Sequence, residues 1–310
     1  MSLATLEEQQ DDRTAAEVLN TLSLLYMFIH DHANARSHQA RAIEIYRKLS
    51  LPARVADCLA NDIEQENDEE ARRLYIESME TFRKLGNSRG VARLMRNLGF
   101  LSYRAGDHRK FKLLLDESVI LLRGTGDLHL LSHHLNYLGD VSRCDGSLEA
   151  ARQWYGESRN YSTESGFKGE LAWALTGLGF VSLECGETSQ AEQLLLQALD
   201  IRIAEGSKRG IAQCLAGLSS IMCIRGDPEG AARMLGAIDA ALSAHPGLFL
   251  PVDKRELARS HATVQETLAP DSFSRLLEEG RQISLAEAVA LFPGSDLFGR
   301  LQLKEKPEVR

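Results

Sequence analysis

Residues 171–201 read LAWALTGLGFVSLECGETSQAEQLLLQALDI. In the first half of this stretch, Leu171, Leu175 and Leu178 recur at steps of three and four residues, which predicts a helix with one apolar face. A short Gly-Glu-Thr-Ser turn follows, and the apolar residues from Ala191 onward predict a second helix of the same kind. The stretch is therefore predicted to form one helix–turn–helix unit.

The same unit recurs along the chain with a period of 40 residues. The repeated columns are the leucines Leu98, Leu138, Leu178 and Leu218, the turn glycines Gly106, Gly146, Gly186 and Gly226, and the alanines Ala151, Ala191 and Ala231. Such periodicity is typical of stacked helical repeats, in which each unit buries its apolar face against its neighbours. We predict an all-α fold, a right-handed α-solenoid of about six such units with a C-terminal helical cap.

These columns set the predicted domain boundaries. The repeat array is predicted to span residues 1–250, followed by capping helices at 251–292 and a tail at 293–310, because the 40-residue pattern is expected to stop at Pro251. The predicted units are residues 15–50, 51–90, 91–130, 131–170, 171–210 and 211–250. A terminal cap is expected because the last unit of a solenoid must cover the open end of the core.

The first residues of the chain match a later part of a repeat unit. Residues 3–8 resemble residues 43–48, which lie near the end of a predicted second helix. We therefore expect the chain to begin in mid-repeat, as a fragment of a longer protein. An N-terminal capping helix is the alternative interpretation.

Composition excludes several classes of function. A net charge of -8 and a pI of about 5.7 argue against a nucleic-acid-binding surface, which needs a basic stripe. No apolar run approaches the roughly 20 residues that span a bilayer, and the first residues lack the pattern of a signal peptide. The five cysteines contain no C-x-x-C motif, which is typical of reduced thiols. We expect a cytoplasmic protein, and we expect this region of it to contact neither nucleic acid nor membrane.

The sequence contains no recognisable catalytic motif. Neither a phosphate-binding G-x-x-x-x-G-K-[ST] loop nor a G-x-G-x-x-G after a strand occurs. His129 and His133 are four residues apart and could share one helix face, but no acidic third ligand accompanies them. No Ser or Cys nucleophile is paired with a positioned His and acid. We therefore predict a protein that is not an enzyme, with no catalytic residue, no cofactor and no metal site.

The repeat unit resembles the tetratricopeptide repeat. Leu178-Gly179 in the first helix, Gly186-Glu187 in the turn and Ala191 in the second helix lie at the relative spacings of that family. The unit departs from the family in its 40-residue length rather than 34, and it lacks the helix-ending proline. The longer unit is similar to the arrays of large bacterial regulators of the MalT/LuxR, AfsR and adenylate-cyclase-like kind, in which the array follows an ATPase module.

This resemblance implies a function in recognition. It implies the sensor or partner-recognition region of a bacterial signal-responsive ATPase or transcription regulator that binds a protein or peptide. A free-standing scaffold that assembles other proteins is the alternative. In tetratricopeptide arrays the first helix of each pair lines the concave groove. The groove residues implied here are Arg93, Arg96, Phe100, Tyr103, Arg104, His133, Asn136, Asp140, Arg143, Trp173 and Phe180.

The chemistry of this set favours a negatively charged guest. Arginine forks suit carboxylates and phosphates, and aromatic rings stack on planar or apolar groups. We predict that an acidic or carboxylate-bearing peptide segment binds there, with a small anionic ligand as the alternative. Under a purely structural interpretation, the rings fill helix–helix contacts and the arginines pair with acids on neighbouring units.

Overall fold

The computed structural model of the chain describes residues 12–28, 31–61, 68–244 and 251–293. These residues form fifteen α-helices and no β-strand, so the predicted all-α class is confirmed. In chain order the helices are α1 (Asp12–Phe28), α2 (His32–Lys48), α3 (Pro52–Asn61), α4 (Asp68–Lys84), α5 (Ser88–Arg104), α6 (His108–Arg123), α7 (Leu128–Cys144), α8 (Leu148–Ser165), α9 (Lys168–Glu184), α10 (Thr188–Glu205), α11 (Lys208–Ile224), α12 (Pro228–Ala244), α13 (Pro251–Gln265), α14 (Pro270–Gly280) and α15 (Leu285–Ala290). The expectations for residues 3–8 and for the tail from residue 294 lie outside the described residues.

The chain divides into two compact units, Met1–His134 and Leu135–Arg310. In the first unit each of the helices α1 to α6 packs against the next one, and α3 also contacts α5. In the second unit α8 to α12 pack in sequence, and the first helices α9, α11 and α13 contact one another in turn. Each unit therefore consists of helix pairs stacked on their sequence neighbours, as a helical repeat requires.

Glycines in the left-handed conformation end most of these helices. They lie at 20-residue intervals with φ between 66° and 90°, and they are Gly86, Gly106, Gly126, Gly146, Gly166, Gly186, Gly206 and Gly226. At Gly106, the following N–H of Asp107 donates to the carbonyl of Ser102 at 2.9 Å, which is the capping bond expected when a glycine closes a helix. The sequence analysis recognised only one of the two glycines in each period.

A second column of large residues explains why glycine follows the repeated leucine. The residues of this column are all fully buried and lie 40 residues apart; they are Tyr75, Leu115, Tyr155, Leu195 and Leu235. A Cβ atom added to Gly139 would lie 2.4 Å from the Tyr155 ring, and one added to Gly179 would lie 2.7 Å from Leu195. Glycine is required there because the ring or leucine of the second helix occupies the space of a side chain.

Phe111, which departs from the alanine column, is accommodated in the same way. A Cβ atom on Gly99 would lie 2.4 Å from the Phe111 ring. The glycine of the first helix therefore leaves room for the large side chain of the second helix.

The 40-residue spacing continues beyond Pro251, where the sequence analysis expected it to stop. Asp253 of α13 accepts a hydrogen bond from Gln213, and Ser260 accepts one from Ser220 at 3.0 Å. Both pairs are separated by 40 residues, so α13 stands next to α11 in the register of a further first helix. The repeat was missed because its helix-forming alanines and turn glycine are replaced after residue 250.

Helix α14 packs on α12 at very short range. A Cβ atom on Gly236 would lie 2.1 Å from the carbonyl oxygen of Leu277, and one on Gly280 would lie 2.0 Å from that of Arg233. The two backbones touch because neither glycine carries a side chain. This contact anchors α14 on α12.

Candidate functional site

The eleven predicted groove residues all lie on first helices of the repeat pairs. Six of them belong to the first unit, on α5 and the start of α7, and five belong to the second unit, on α7 and α9. The first group is Arg93, Arg96, Phe100, Tyr103, Arg104 and His133, and the second group is Asn136, Asp140, Arg143, Trp173 and Phe180. The two groups are described separately below.

The aromatic residues of the first group contact the second helix of their own pair. The ring centroid of Phe100 lies 5.0 Å from that of Phe111, and the Tyr103 ring lies 5.5 Å from the same residue. Tyr103 also packs against His108 at 4.6 Å. These rings therefore contribute to the packing of α5 on α6, as the structural interpretation expected.

Two arginines of the first group have polar partners within the unit. Arg96 is 7% exposed, and its Nη2 donates to Oδ1 of Asn97 at 3.0 Å. Asn97 in turn donates to the carbonyl of Leu59 on α3 at 3.2 Å. Arg104 forms an ion pair with Asp68 of the preceding helix pair. These contacts join neighbouring repeats and hold the guanidinium groups in place.

Arg93 lies in a different environment. It is half-buried, and burial, followed by the like charges of Arg96 and Arg89, lowers the pKa of Arg93 to about 10. A cation that is partly desolvated beside other cations is stabilised by any anion that reaches it. This part of α5 is thus electrostatically suited to a carboxylate or phosphate.

His134 directly follows the predicted groove residue His133 in the sequence. It is fully buried, and its Nδ1 lies 2.6 Å from Oγ of Ser118 on α6. Burial, and then the positive charges of Arg96 and His133, hold the pKa of His134 well below its usual value. His134 is therefore a neutral core residue. Among the described residues, no group of three or more His, Cys, Asp or Glu side chains could hold a metal ion.

In the second group, Asp140 is the centre of a buried hydrogen-bond network. The carboxylate is 8% exposed and accepts hydrogen bonds from the hydroxyl of Tyr155 and from the indole Nε1 of Trp173, the latter at 3.2 Å. Burial raises the pKa of Asp140 to about 6, although Arg143 and the two donors oppose this increase. The Trp173 ring is fixed further by an edge-on contact with Tyr137 at 4.7 Å.

Arg143 lies one helical turn from Asp140 and is also buried. It forms an ion pair with Glu256 of α13, and its guanidinium lies 5.0 Å from the centroid of the Phe180 ring. Burial lowers the pKa of Arg143, but the neighbouring Tyr155, Glu256 and Asp140 outweigh that effect, so the pKa is raised. Arg143 is therefore a permanent, fully desolvated cation with an aromatic face and an acidic partner.

Asn136 is fully buried and helps to join two first helices. Its Nδ2 donates to the carbonyl of Glu170 at the start of α9 at 3.1 Å, while its Oδ1 has no hydrogen-bond partner among the described residues. One of the two N–H donors of this amide is thus already used within the fold.

The sequence reasoning missed Tyr155 and Glu256, which complete this network. Tyr155 lies in the buried column that repeats every 40 residues, so a second periodic pattern was available as a signal. Glu256 lies in a segment where the repeat pattern was not recognised. It is also far from Arg143 along the chain, so no sequence pattern indicated that the two residues form a contact.

The arrangement of helix pairs defines the class of this protein as a tetratricopeptide-like helical repeat, and the comparisons agree. No protein-family model matches the sequence, and a comparison with curated proteins finds no match. Among solved structures, the chain is similar to the apo form of the quorum sensor NprR from B. thuringiensis. The identity is 14% and the TM-score 0.60, over 93% of this chain and 80% of that one.

Two further structures show the same likeness. The apo form of RapI is 16% identical with a TM-score of 0.54, over 85% of this chain and 89% of that one. A Signal Transduction ATPase with Numerous Domains from Pyrococcus horikoshii, which has a tetratricopeptide repeat sensor, is 16% identical with a TM-score of 0.51 over 87% of this chain. This chain covers 39% of that ATPase. The predicted resemblance to tetratricopeptide repeats is therefore confirmed at the level of the fold.

No helix in the part of the chain that the structure describes is long and apolar enough to cross a membrane.

Proposed function

We propose that this chain is a non-catalytic recognition module that binds a carboxylate-bearing protein or peptide segment through the first helices of its repeats. The observation that carries this proposal is the concentration of arginines with aromatic neighbours on those helices, in a chain whose net charge is -8. Arg93 is half-buried beside like charges, and Arg143 lies over the Phe180 ring. Both environments favour an anionic guest.

The structural neighbours support a role in signal recognition. NprR is described as a quorum sensor, and the Pyrococcus horikoshii ATPase is described as having a tetratricopeptide repeat sensor. By analogy, we assign this chain to the sensor region of a bacterial, cytoplasmic, signal-responsive ATPase or transcription regulator. Under this proposal the ATPase module lies outside the present residues, which contain no phosphate-binding loop motif.

The buried Ser118–His134 pair is not an accessible catalytic site. A Ser hydroxyl within hydrogen-bond distance of a His ring is the arrangement of a nucleophile and its base. Here both residues are 0% exposed, and the Ser118 hydroxyl donates to the carbonyl of Leu115 at 2.7 Å. A substrate would have no access to this hydroxyl, so the pair is a core contact.

The proposal predicts that Arg93 contributes directly to partner binding. The partner would be captured from a lysate of the source organism on the immobilised full chain, identified by mass spectrometry and titrated against purified variants. We expect Arg93→Gln to weaken binding roughly 10- to 100-fold, because a charge-assisted hydrogen bond contributes about 1.5–3 kcal/mol. Burial and the charges of Arg96 and Arg89 disfavour the Arg93 cation more than Asp57 and Asp127 favour it, so its removal should leave the fold intact.

The matched control is Arg109→Gln, which removes an exposed arginine from α6, the second helix of the same pair. Its affinity for the same partner should equal that of the unmodified chain. Equal losses of affinity in both variants, or none in either, would contradict a binding face on the first helices.

A free-standing scaffold is the second candidate, and the division into two compact units favours it, because each unit offers its own set of first helices. The two candidates differ in genomic context. An ATPase or helix-turn-helix segment in the same reading frame favours the regulator, and simultaneous capture of two different proteins favours the scaffold.

A further inference from the structure

Helix α13 presents two acidic residues to the first helices α7 and α11, which carry Arg143 and Arg209. Glu256 forms the ion pair with Arg143, and the two side chains are 6% and 4% exposed. One turn earlier, Asp253 accepts a hydrogen bond from Nε of Arg209 at 3.0 Å and another from Gln213. The chain thus supplies two carboxylates, three residues apart on one helix, to two of its own arginines.

Further polar contacts join α13 to the first helices, and its apolar side chains Leu257 and Val264 are buried in the core of the second unit. Arg259 forms an ion pair with Glu184 at the end of α9 at 2.6 Å. Arg255 donates to the carbonyl of Cys144 at the end of α7, and the Ser260 hydroxyl donates to the carbonyl of Ala216 at 2.7 Å. Helix α13 therefore meets α7 and α9 through side-chain charges and hydrogen bonds.

Helix α14 is attached in a different manner. It packs backbone to backbone on α12 through Gly236 and Gly280. This contact does not involve α13, so α14 has an anchor of its own in the second unit. Helix α13 also contacts α14, since the His261 and Phe273 ring centroids lie 6.1 Å apart. Opening of α13 while α14 stays packed on α12 is therefore what hydrogen exchange has to test.

We propose that α13 is an internal competitor for the Arg143 site. In the absence of a partner it occupies the site, and the partner is a helical segment that presents two carboxylates three residues apart and displaces it. This inference rests on the proposed function, because it takes the first helices around Arg143 as the partner's binding face. It adds two points to the proposed function: the spacing of the carboxylates on the partner, and the helix, α13, that the partner displaces.

The energetics of buried ion pairs support exchange rather than permanent attachment. Desolvation of both charges offsets much of their attraction, so such a pair contributes little net stability. An incoming helix with the same acidic spacing restores each lost charge contact. The covalent tether gives α13 a high effective concentration, and the partner's apparent affinity is reduced by the fraction of time that α13 occupies the site.

The test uses the full chain and a labelled peptide of residues 251–265, acetylated and amidated at its ends. In the chain, Glu256→Gln keeps the size of the side chain but removes its charge, which weakens α13 at Arg143. We expect the peptide to bind this variant at least tenfold more tightly than the unmodified chain, measured by fluorescence anisotropy. A peptide that itself carries Glu256→Gln should bind at least tenfold more weakly than the unmodified peptide.

Hydrogen exchange measured by mass spectrometry provides an independent readout. In the Glu256→Gln chain, amides of α13 should exchange at least tenfold faster, while those of α11 and α14 keep their rates. The control Glu266→Gln removes an exposed carboxylate just after α13 and should leave exchange and peptide binding unchanged. If Glu256→Gln impairs folding, Asp253→Asn loosens the same helix at Arg209 and serves as the second variant.

Two results would overturn the inference. One is exchange in α13 that increases only together with α11 and α14, because α13 would then be a permanent part of the core. The other is a folded Glu256→Gln chain that does not bind the peptide. In that case the proposed function still stands if Arg93→Gln weakens the captured partner, and it fails as well if Arg93→Gln has no effect.

Discussion

Asp140 is a residue whose ionisation opposes the stability of the fold. Its carboxyl is buried with Tyr155 and Trp173 as hydrogen-bond donors and Arg143 nearby, while the negative charge of Asp253 also acts on it. Burial is the largest effect and raises the pKa from 3.8 to about 6. A raised pKa means that the native state binds the proton more tightly than the unfolded chain does.

This difference predicts a pH-dependent loss of stability. As the pH rises from about 4 to about 6, the unfolded chain releases the Asp140 proton first, so the free energy of unfolding should fall by up to about 3 kcal/mol. Asp140→Asn removes this titration but keeps an acceptor for Trp173. Urea denaturation of both proteins at pH 4, 5, 6 and 7 should show the variant gaining stability relative to the unmodified chain as the pH rises. A difference that stays constant with pH would contradict this assignment.

The buried network also shows which contacts cannot be predicted from the sequence around a single residue. Asp140 and Arg143 were recognised because their columns match the inward positions of a known repeat. Their partner Glu256 was not recognised, because nothing in the local sequence around residue 256 indicates which distant helix it will contact. Pairing across more than a hundred residues is decided by packing.

At the scale of the helix, the left-handed glycines set the length of each element. First helices α5, α7, α9 and α11 each contain 17 residues, and a glycine with positive φ follows each of them. An L-residue in this conformation is strained, because its Cβ approaches the next carbonyl oxygen. Ser50 is the non-glycine residue found in this conformation in the part of the chain that the structure describes, with φ of 55°.

This argument predicts opposite effects for two glycine substitutions. Gly106→Ala should lower the free energy of unfolding by about 1–2 kcal/mol. The cause would be purely conformational, since no atom lies within 4 Å of the added Cβ. Gly156, inside α8, is equally free of neighbours but is helical, so Gly156→Ala should raise stability by about 0.5–1 kcal/mol. Urea unfolding followed by circular dichroism measures both, and a stabilising Gly106→Ala would refute the role of its φ angle.

At the scale of the whole molecule, the apolar core is divided between the two compact units. One cluster of buried residues contains Leu94 and lies in the first unit, and another contains Leu215 and lies in the second. In repeat proteins stability is approximately a sum of local terms and contacts between neighbours. A destabilising substitution in one cluster should therefore lower stability mainly in the helices around that cluster.

We expect Leu94→Ala and Leu215→Ala each to lower stability by roughly 2–5 kcal/mol, because both residues are fully buried and each truncation leaves a cavity. Hydrogen exchange should accelerate chiefly in the unit that carries the substitution. The two variants serve as controls for each other, and equal acceleration across the whole chain in either one would show that the units unfold as a single cooperative body.

The sequence by itself determined the helical class, the 40-residue period and the placement of the groove candidates on first helices. These properties follow from local periodicity and from glycine chemistry, which act over a few residues and are visible in the chain. Only the tertiary structure decided that Phe100 and Tyr103 pack on Phe111 and that α13 covers Arg143. Those outcomes depend on which side chains compete for the same buried space and charge, and that competition exists only once distant helices are brought together.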